Sequence, residues 1–447
     1  MKTFYAVLAN SLIASVTNTF VWFAVTFWVF LETQSVIATS VMAGVYTTTV
    51  AVSGFFLGAL VDRYPKKNVM AVSSLASFLL YTAALVLYVT TPTERFTDAA
   101  SAPLWGFIVL TLIGAIAGNL RGIALSTLVA ILVPEETRDK ANGWVGTANG
   151  VAFLAASIFS GLVVGFMGMF WMLALALGLT ALTLLHLWPL PIPGRPAPEG
   201  GATEAHLAKT QLDIRGTIQA IQLVPGLLGL IFFHTFNNFL GGIFMSLMDA
   251  YGLLLVSVQV WGLLWGVLSL AFIAGGLVIA KTGLGKNPLR TLFLCNIAMW
   301  SICCVFTLQA SILLLAVGMF IWLSLIPAVE AAEQTILQKV VPPERQGRVF
   351  GFAQSVEQAA SPITSFLIGP VAQLIFIPYM TTGAGVDLIG AWFGVGTDRG
   401  LALLFTVAGI IGLLITLLAM RSSAYRMLSA RYQQEATEPE LAGAYSA

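Results

Sequence analysis

Long apolar runs, one after another with almost nothing charged inside them, limit what this chain can fold into more than any motif does. Runs of about 20 apolar residues match the hydrocarbon core of a bilayer when helical. Twelve occur, at approximately 5–31, 37–61, 68–90, 104–132, 142–167, 169–188, 222–250, 256–280, 289–308, 311–338, 348–378 and 399–420. In lipid each backbone N–H and C=O needs a partner within the segment, which leaves the α-helix for runs of this length. The chain is 58% hydrophobic and 9% charged, where a soluble chain is about a quarter charged. The pattern predicts an all-α polytopic membrane protein. A net charge of +1 gives no reason to expect nucleic acid. The N-terminus enters the first apolar run at once, without a small-residue cleavage site, and reads as a first membrane helix. Cys295, Cys303 and Cys304 share one apolar segment and offer neither a disulfide framework nor metal spacing.

Orientation follows from lysine and arginine. With the N-terminus inside, 18 of the 21 basic residues fall on the cytoplasmic side. Arg95 and Arg399 fall outside, and Arg121 is left within the membrane. The asymmetry predicts an N-in, C-in topology.

Residues 189–217 break the apolar pattern. Pro189, Pro191, Pro193, Pro196 and Pro198 stiffen the start of this stretch, and Gly200-Gly201 with polar residues follows. Such composition predicts a cytoplasmic linker between six-helix halves at 1–188 and 218–424, with a tail at 425–447 that is disordered toward its end. The halves also echo one another. Val133-Pro134-Glu135-Glu136 and Val341-Pro342-Pro343-Glu344 both read V-P-x-E after helices four and ten, each followed by a basic residue and a glycine. Gly58 to Arg63 has its counterpart in Gly276 to Lys281, with the acid lost. Parallel six-helix repeats are one of the known transporter plans.

Between the second and third apolar runs stands Gly58-Ala59-Leu60-Val61-Asp62-Arg63-Tyr64-Pro65-Lys66-Lys67. A glycine there lets helices approach closely, and charges at the membrane edge are costly unless paired or wetted. The stretch resembles the signature of the major facilitator superfamily, keeping Gly58, Leu60, Asp62, Arg63, Lys66 and Lys67 and carrying Pro65 where the family has glycine. Within that superfamily the chain is similar to the bacterial drug-efflux branch of macrolide-efflux-like proteins. The similar stretches are Leu31-Glu32-Thr33-Gln34-Ser35, Pro342 to Arg348, and Phe376-Ile377-Pro378-Tyr379 opening a glycine-rich outer loop that ends at Arg399-Gly400. Asn18 stands where that branch often carries an acid in helix one.

The resemblance implies a secondary transporter of the bacterial cytoplasmic membrane, monomeric, exchanging protons for a small-molecule substrate and needing no cofactor. It implies that helices 1, 4, 7 and 10 line the cavity and that 2, 5, 8 and 11 join the halves. Gly58, Asp62, Arg63, Lys66 and Lys67 would then latch one state of a rocker switch. Arg121 resembles the helix-four arginine of proton-driven antiporters. It either tunes a nearby acid or attracts an anion, or else it closes a structural ion pair.

Ionisable groups inside the apolar helices are the other candidates for coupling. Glu330 and Glu333 lie one turn apart on helix ten and share a face, with Pro327 a turn earlier able to kink the helix. Burial, or a like charge one turn away, favours the protonated carboxyl, as proton exchange requires. The repeat sets Glu330 opposite Arg121, which predicts that they pair in one state. Glu357, beside Gln354 and Gln358, is a second proton site or a clasp between halves. Glu32 and Asp249 near the outer helix ends read as a gate or wetted rim. His234, Asn237 and Asn238 share a face of helix seven and serve either substrate or interhelical hydrogen bonds. Trp22, Phe23 and Trp261 supply either an apolar wall for substrate or packing.

Other classes lack their residues. His186, His206 and His234 are scattered, and no metal-binding motif or serine elbow appears, so an enzyme is not expected. Gly275 through Thr282 misses the phosphate-loop pattern at Ala280 and has no preceding strand. A proton-independent facilitator, or an exporter of an endogenous siderophore or lipid, remains open.

Overall fold

In the computed structural model the described residues are 2–133, 138–192, 218, 221–341 and 343–444, with the side chains of 51–63, 138–143, 343–348, 434–444 and scattered positions such as Gln354 outside the description. The regular elements among the described residues are all helices, without a strand. Among the described residues, eleven segments are long and apolar enough to cross a membrane. Outside these eleven, α2 runs 28 residues by its backbone, Val36–Arg63, with Val36–Val50 as its described apolar part. The fold is that of an all-α polytopic membrane protein.

The helices are α1 (Lys2–Thr33), α2 (Val36–Arg63), α3 (Lys66–Thr90), the single turn α4 (Glu94–Thr97), α5 (Ala102–Ala117), α6 (Asn119–Leu132), α7 (Arg138–Phe166) and α8 (Gly168–Leu187). After the linker come α9 (Leu227–Leu255), α10 (Val258–Thr282), α11 (Pro288–Val305), α12 (Ile312–Val340) and α13 (Pro343–Val371). A π-helical turn (Ala372–Phe376) leads into α14 (Ile377–Thr381), and α15 (Ala384–Phe393), α16 (Thr397–Arg421) and α17 (Ser423–Ala444) complete the chain.

Local chemistry explains the breaks. Gln34 takes φ 49°, the left-handed region a non-glycine side chain rarely adopts, and donates its N–H to Phe30 O at 2.8 Å. Ser35 then accepts from the Ala38 N–H at 3.2 Å. The stretch Glu32-Thr33-Gln34-Ser35 is therefore a helix stop followed at once by a helix start. Ser101, Asn287 and Ser311 cap α5, α11 and α12 in the same way. Gly168, at φ 82°, makes the turn expected between the fifth and sixth spans.

Three expectations need correction. The fourth span, read as unbroken over 104–132, is two helices meeting at Gly118. The Asn18 side chain presses so closely on Gly118 that no Cβ would fit there. The glycine-rich outer loop is mostly helix, because Pro378 sits in the first turn of α14, where its missing N–H costs nothing. Arg399, expected in that outer loop, lies in the first turn of α16 and is buried. It pairs with Asp398 at 2.9 Å and donates to Thr307 O at 3.1 Å. After α16 the chain continues as α17, whose first turns seat Leu428 and Tyr432 on the core.

Contacts divide the chain into two compact units, Met1–Ala197 with Ser246–Ser269 and Ile368–Gln373, and Pro198–Met245 with Leu270–Leu367 and Leu374–Ala447. Within the first, α1 packs along α7, α8 and α5, and the core around Phe4, Met70, Leu128 and Leu187 closes one end. Elsewhere in this unit, α7 and the start of α10 cross at Gly161 and Gly262, where an added Cβ at Gly161 would come within 2.5 Å of Val258 O. Small residues at such crossings let backbones meet in a solvent that gives no hydrophobic drive between helices. Within the second, Phe233 stacks on Phe293 at 4.6 Å and Phe244 on Phe405 at 4.9 Å.

Candidate functional site

The second unit brings together His234 of α9, Glu333 of α12 and Glu357 of α13. His234 Nδ1 lies 3.1 Å from Glu333 Oε2. The Glu357 carboxyl lies beside that of Glu333. Such a contact is stable only with a proton between the two oxygens, since two anions at that distance repel. His234 and Glu357 are buried. His234 Nε2 and Glu357 Oε1 have no hydrogen-bond partner among the described residues. The group therefore has unused hydrogen-bonding capacity among the described residues.

Sequence position sets this arrangement. Pro327 lies inside α12, two turns before Glu333, and denies that turn one backbone hydrogen bond. Glu330, a turn from Glu333, is exposed rather than inside the cluster. On the His234 face, Asn237 is committed elsewhere. It donates to Phe233 O at 2.8 Å and accepts from Trp300 Nε1 at 2.7 Å, a structural tie between α9 and α11. Asn238 is half-buried on the same helix. The side chain of Gln354 lies outside the described residues.

In the first unit, Arg121 is buried in α6 with 2% of its surface exposed. Its Nη1 donates to Asn10 Oδ1. Asn10 in turn donates to Thr183 O at 2.9 Å and meets His186 Nδ1 at 3.0 Å. No ion pair to Arg121 is present among the described residues. Asn18 accepts from the Tyr81 hydroxyl at 3.1 Å, and Trp22 stacks on Tyr46 at 4.0 Å. Phe23 packs among Phe27, Phe153 and Trp265. Ser11, Ser15, Asn18, Thr19, Tyr46 and Arg121 border a cavity of about 240 Å³. Of these neighbours, Asn10, Ser11 and Tyr46 escaped the reading of the sequence. The signal available was the row of polar residues that α1 carries at helical spacing, Asn10, Ser11, Ser15 and Asn18.

Two further candidates have definite surroundings. Asp249 Oδ1 accepts from both Trp261 Nε1 and Trp265 Nε1 at 2.9 Å. It is half-buried and held, which differs from a wetted rim, and it assigns Trp261 to packing. Glu32 is exposed at the end of α1. Of the signature stretch, the side chains of Gly58, Asp62 and Arg63 lie outside the described residues, and Lys66 is buried. Lys67 donates to Trp188 O and Leu190 O, both at 2.8 Å, capping the carbonyl end of α8.

A bundle of spanning helices with ionisable groups held deep inside it is the build of a membrane transporter. Residues 7–365 match the Major Facilitator Superfamily, and the chain belongs to that family. It is thus a multi-pass secondary transporter and not an enzyme. Its fold is similar to that of a bacterial homolog of the human lysosomal transporter Spinster, at 14% identity over 97% of this chain and 98% of that one, with a TM-score of 0.65. A D-xylose–proton symporter matches at 17% identity over 93% and 96% of the two chains, TM-score 0.62. A bacterial metal transporter matches at 12% over 94% and 99%, TM-score 0.64. At such identities the likeness is one of fold. No curated protein sequence matches the chain.

Proposed function

We propose that this protein is a proton-coupled exporter of lipophilic drugs or related small molecules, working by alternating access. The observation that carries the coupling is the His234–Glu333–Glu357 group, in which a histidine stands 3.1 Å from a carboxyl that a second carboxyl also reaches. A proton entering the group relieves the repulsion between the acids, and its departure restores it, so occupancy is tied to the local arrangement of α9, α12 and α13. Glu330, exposed one turn away on α12, stands apart from this group. The signature residues from Gly58 to Lys67 latch one state. Two six-helix halves at 1–188 and 218–424, an N-in, C-in orientation, a monomeric state and the bacterial cytoplasmic membrane complete the reading. A second reading, export of an endogenous metabolite such as a siderophore, is favoured by the guanidinium of Arg121, which has no ion-pair partner among the described residues.

The test is reconstitution into liposomes holding a trapped pH dye, followed by lipophilic cations, macrolides and siderophores in turn. Substrate-dependent proton movement that disappears in Glu357→Gln supports the reading. Substrate flux without proton movement rejects it and leaves a facilitator.

A further inference from the structure

Arg121 is buried without a countercharge among the described residues. Its Nη1 is used by Asn10, while Nε and Nη2 have no hydrogen-bond partner among the described residues. Those two nitrogens carry the parallel N–H groups along one edge of the planar guanidinium, the edge that receives a carboxylate bidentately. A charge buried without a partner is strongly unfavourable, so the site gains free energy from any anion that completes it. A second buried donor points to the same place. The Ser11 hydroxyl, 6% exposed, likewise has no partner among the described residues. Both residues border the cavity of about 240 Å³ between α1 and α6.

The cavity suits an organic anion and not a cation. Among the described residues no acid lines it, while Ser15, Asn18 and Thr19 add neutral polar groups. Tyr46, stacked on Trp22, supplies an aromatic flank for an apolar body. Its volume is at the small end for ligand pockets, which leaves room for a carboxylate with one compact apolar group.

We propose that this cavity binds the carboxylate of a small organic-acid substrate, gripped by Nε and Nη2 of Arg121 with a further bond from Ser11. The proposal rests on the transporter reading above and adds the substrate class. It needs no proton gradient, so it is tested apart from coupling. Full-length protein in detergent is titrated with benzoate, salicylate and 2-naphthoate, their methyl esters, and inorganic phosphate, following melting temperature and tryptophan fluorescence. At least one of the carboxylates binds, and its ester and phosphate bind at least about tenfold more weakly. Arg121→Gln abolishes that binding, and Arg121→Lys, which keeps the charge and loses the fork, weakens it at least about tenfold. Gly122→Leu is the control for folding. A Cβ there meets nothing within 4 Å, so the side chain fills the cavity, leaves the melting temperature unchanged and blocks the acid. Failure of all three acids to bind the native protein overturns the proposal. So does equal binding of acid and ester, binding by phosphate as tight as by the acids, or undiminished binding in Arg121→Gln or Gly122→Leu. None of these results touches proton coupling, and loss of coupling with acid binding intact would reject the antiport reading alone.

Discussion

Arg121 in α6 and Glu333 in α12 are both ionisable groups set deep in apolar helices, and their surroundings differ in kind. Around Arg121 the chain supplies one acceptor, Asn10, and leaves two N–H groups without a partner among the described residues. Around Glu333 it supplies a histidine and a second carboxyl, groups whose chemistry allows them to gain and lose a proton. Arginine keeps its proton in proteins, so the first site has a fixed charge whose partner must come from elsewhere. The second has a charge that varies with proton occupancy. A secondary transporter needs both kinds, one group to hold cargo and one to change state. The contrast suggests that the two units divide these tasks.

The largest expected effect breaks the second site. Glu333→Gln removes the group common to both contacts, and substrate-dependent proton movement in liposomes is abolished. Retention of full proton movement would show that the cluster is structural.

Asp249 sharpens the contrast, because it is an acid whose hydrogen bonds are already made. Asp249→Ala strands two indole N–H groups and lowers unfolding stability by about 1–3 kcal/mol, while Asp249→Asn keeps an accepting oxygen and costs less than about 1 kcal/mol. Proton coupling in Asp249→Asn matches the native protein. Detergent melting curves and the liposome assay check both halves of this expectation, and lost coupling would restore Asp249 to the gate.

Asn10→Ala removes the one acceptor that holds the guanidinium. Melting in detergent should fall by the equivalent of about 1 kcal/mol, and carboxylate binding should weaken because the fork is no longer oriented. An unchanged affinity would mean that Asn10 does not position Arg121. The smallest effect belongs to Glu330→Gln. Its side chain is exposed, so transport rates should stay within about twofold of native, inside the scatter of surface charge effects. A loss as deep as that of Glu333→Gln would move the proton site one turn along α12.

The fold was legible because a bilayer leaves so few options. The apolar runs, the break before Gly168 and the Glu32–Ser35 helix stop are all local features that a sequence shows directly. Helix ends near proline and glycine were harder. Pro378 reads as a loop signal, yet proline is harmless in a first helical turn, and the split at Gly118 depends on Asn18 from another helix. The sites were half legible for the same reason. His234, Glu333, Glu357 and Arg121 stand out as polar residues in apolar helices. Which of them meet is a tertiary fact: spacing along α12 cannot show that Glu333 faces His234 while Glu330 faces away from the cluster. Asp249 looked like a rim residue because its position near a helix end was visible and its two tryptophan donors, a turn apart on the next helix, were not.

The most direct test separates proton movement from substrate movement in one variant. Glu333→Gln is reconstituted with a substrate of the native protein, and two rates are measured: exchange of labelled for unlabelled substrate at equal pH, and proton flux on substrate addition. The account predicts that exchange continues while substrate-dependent proton flux vanishes, since cargo binding and proton carriage reside in different units. Proton flux that persists alongside exchange would contradict it.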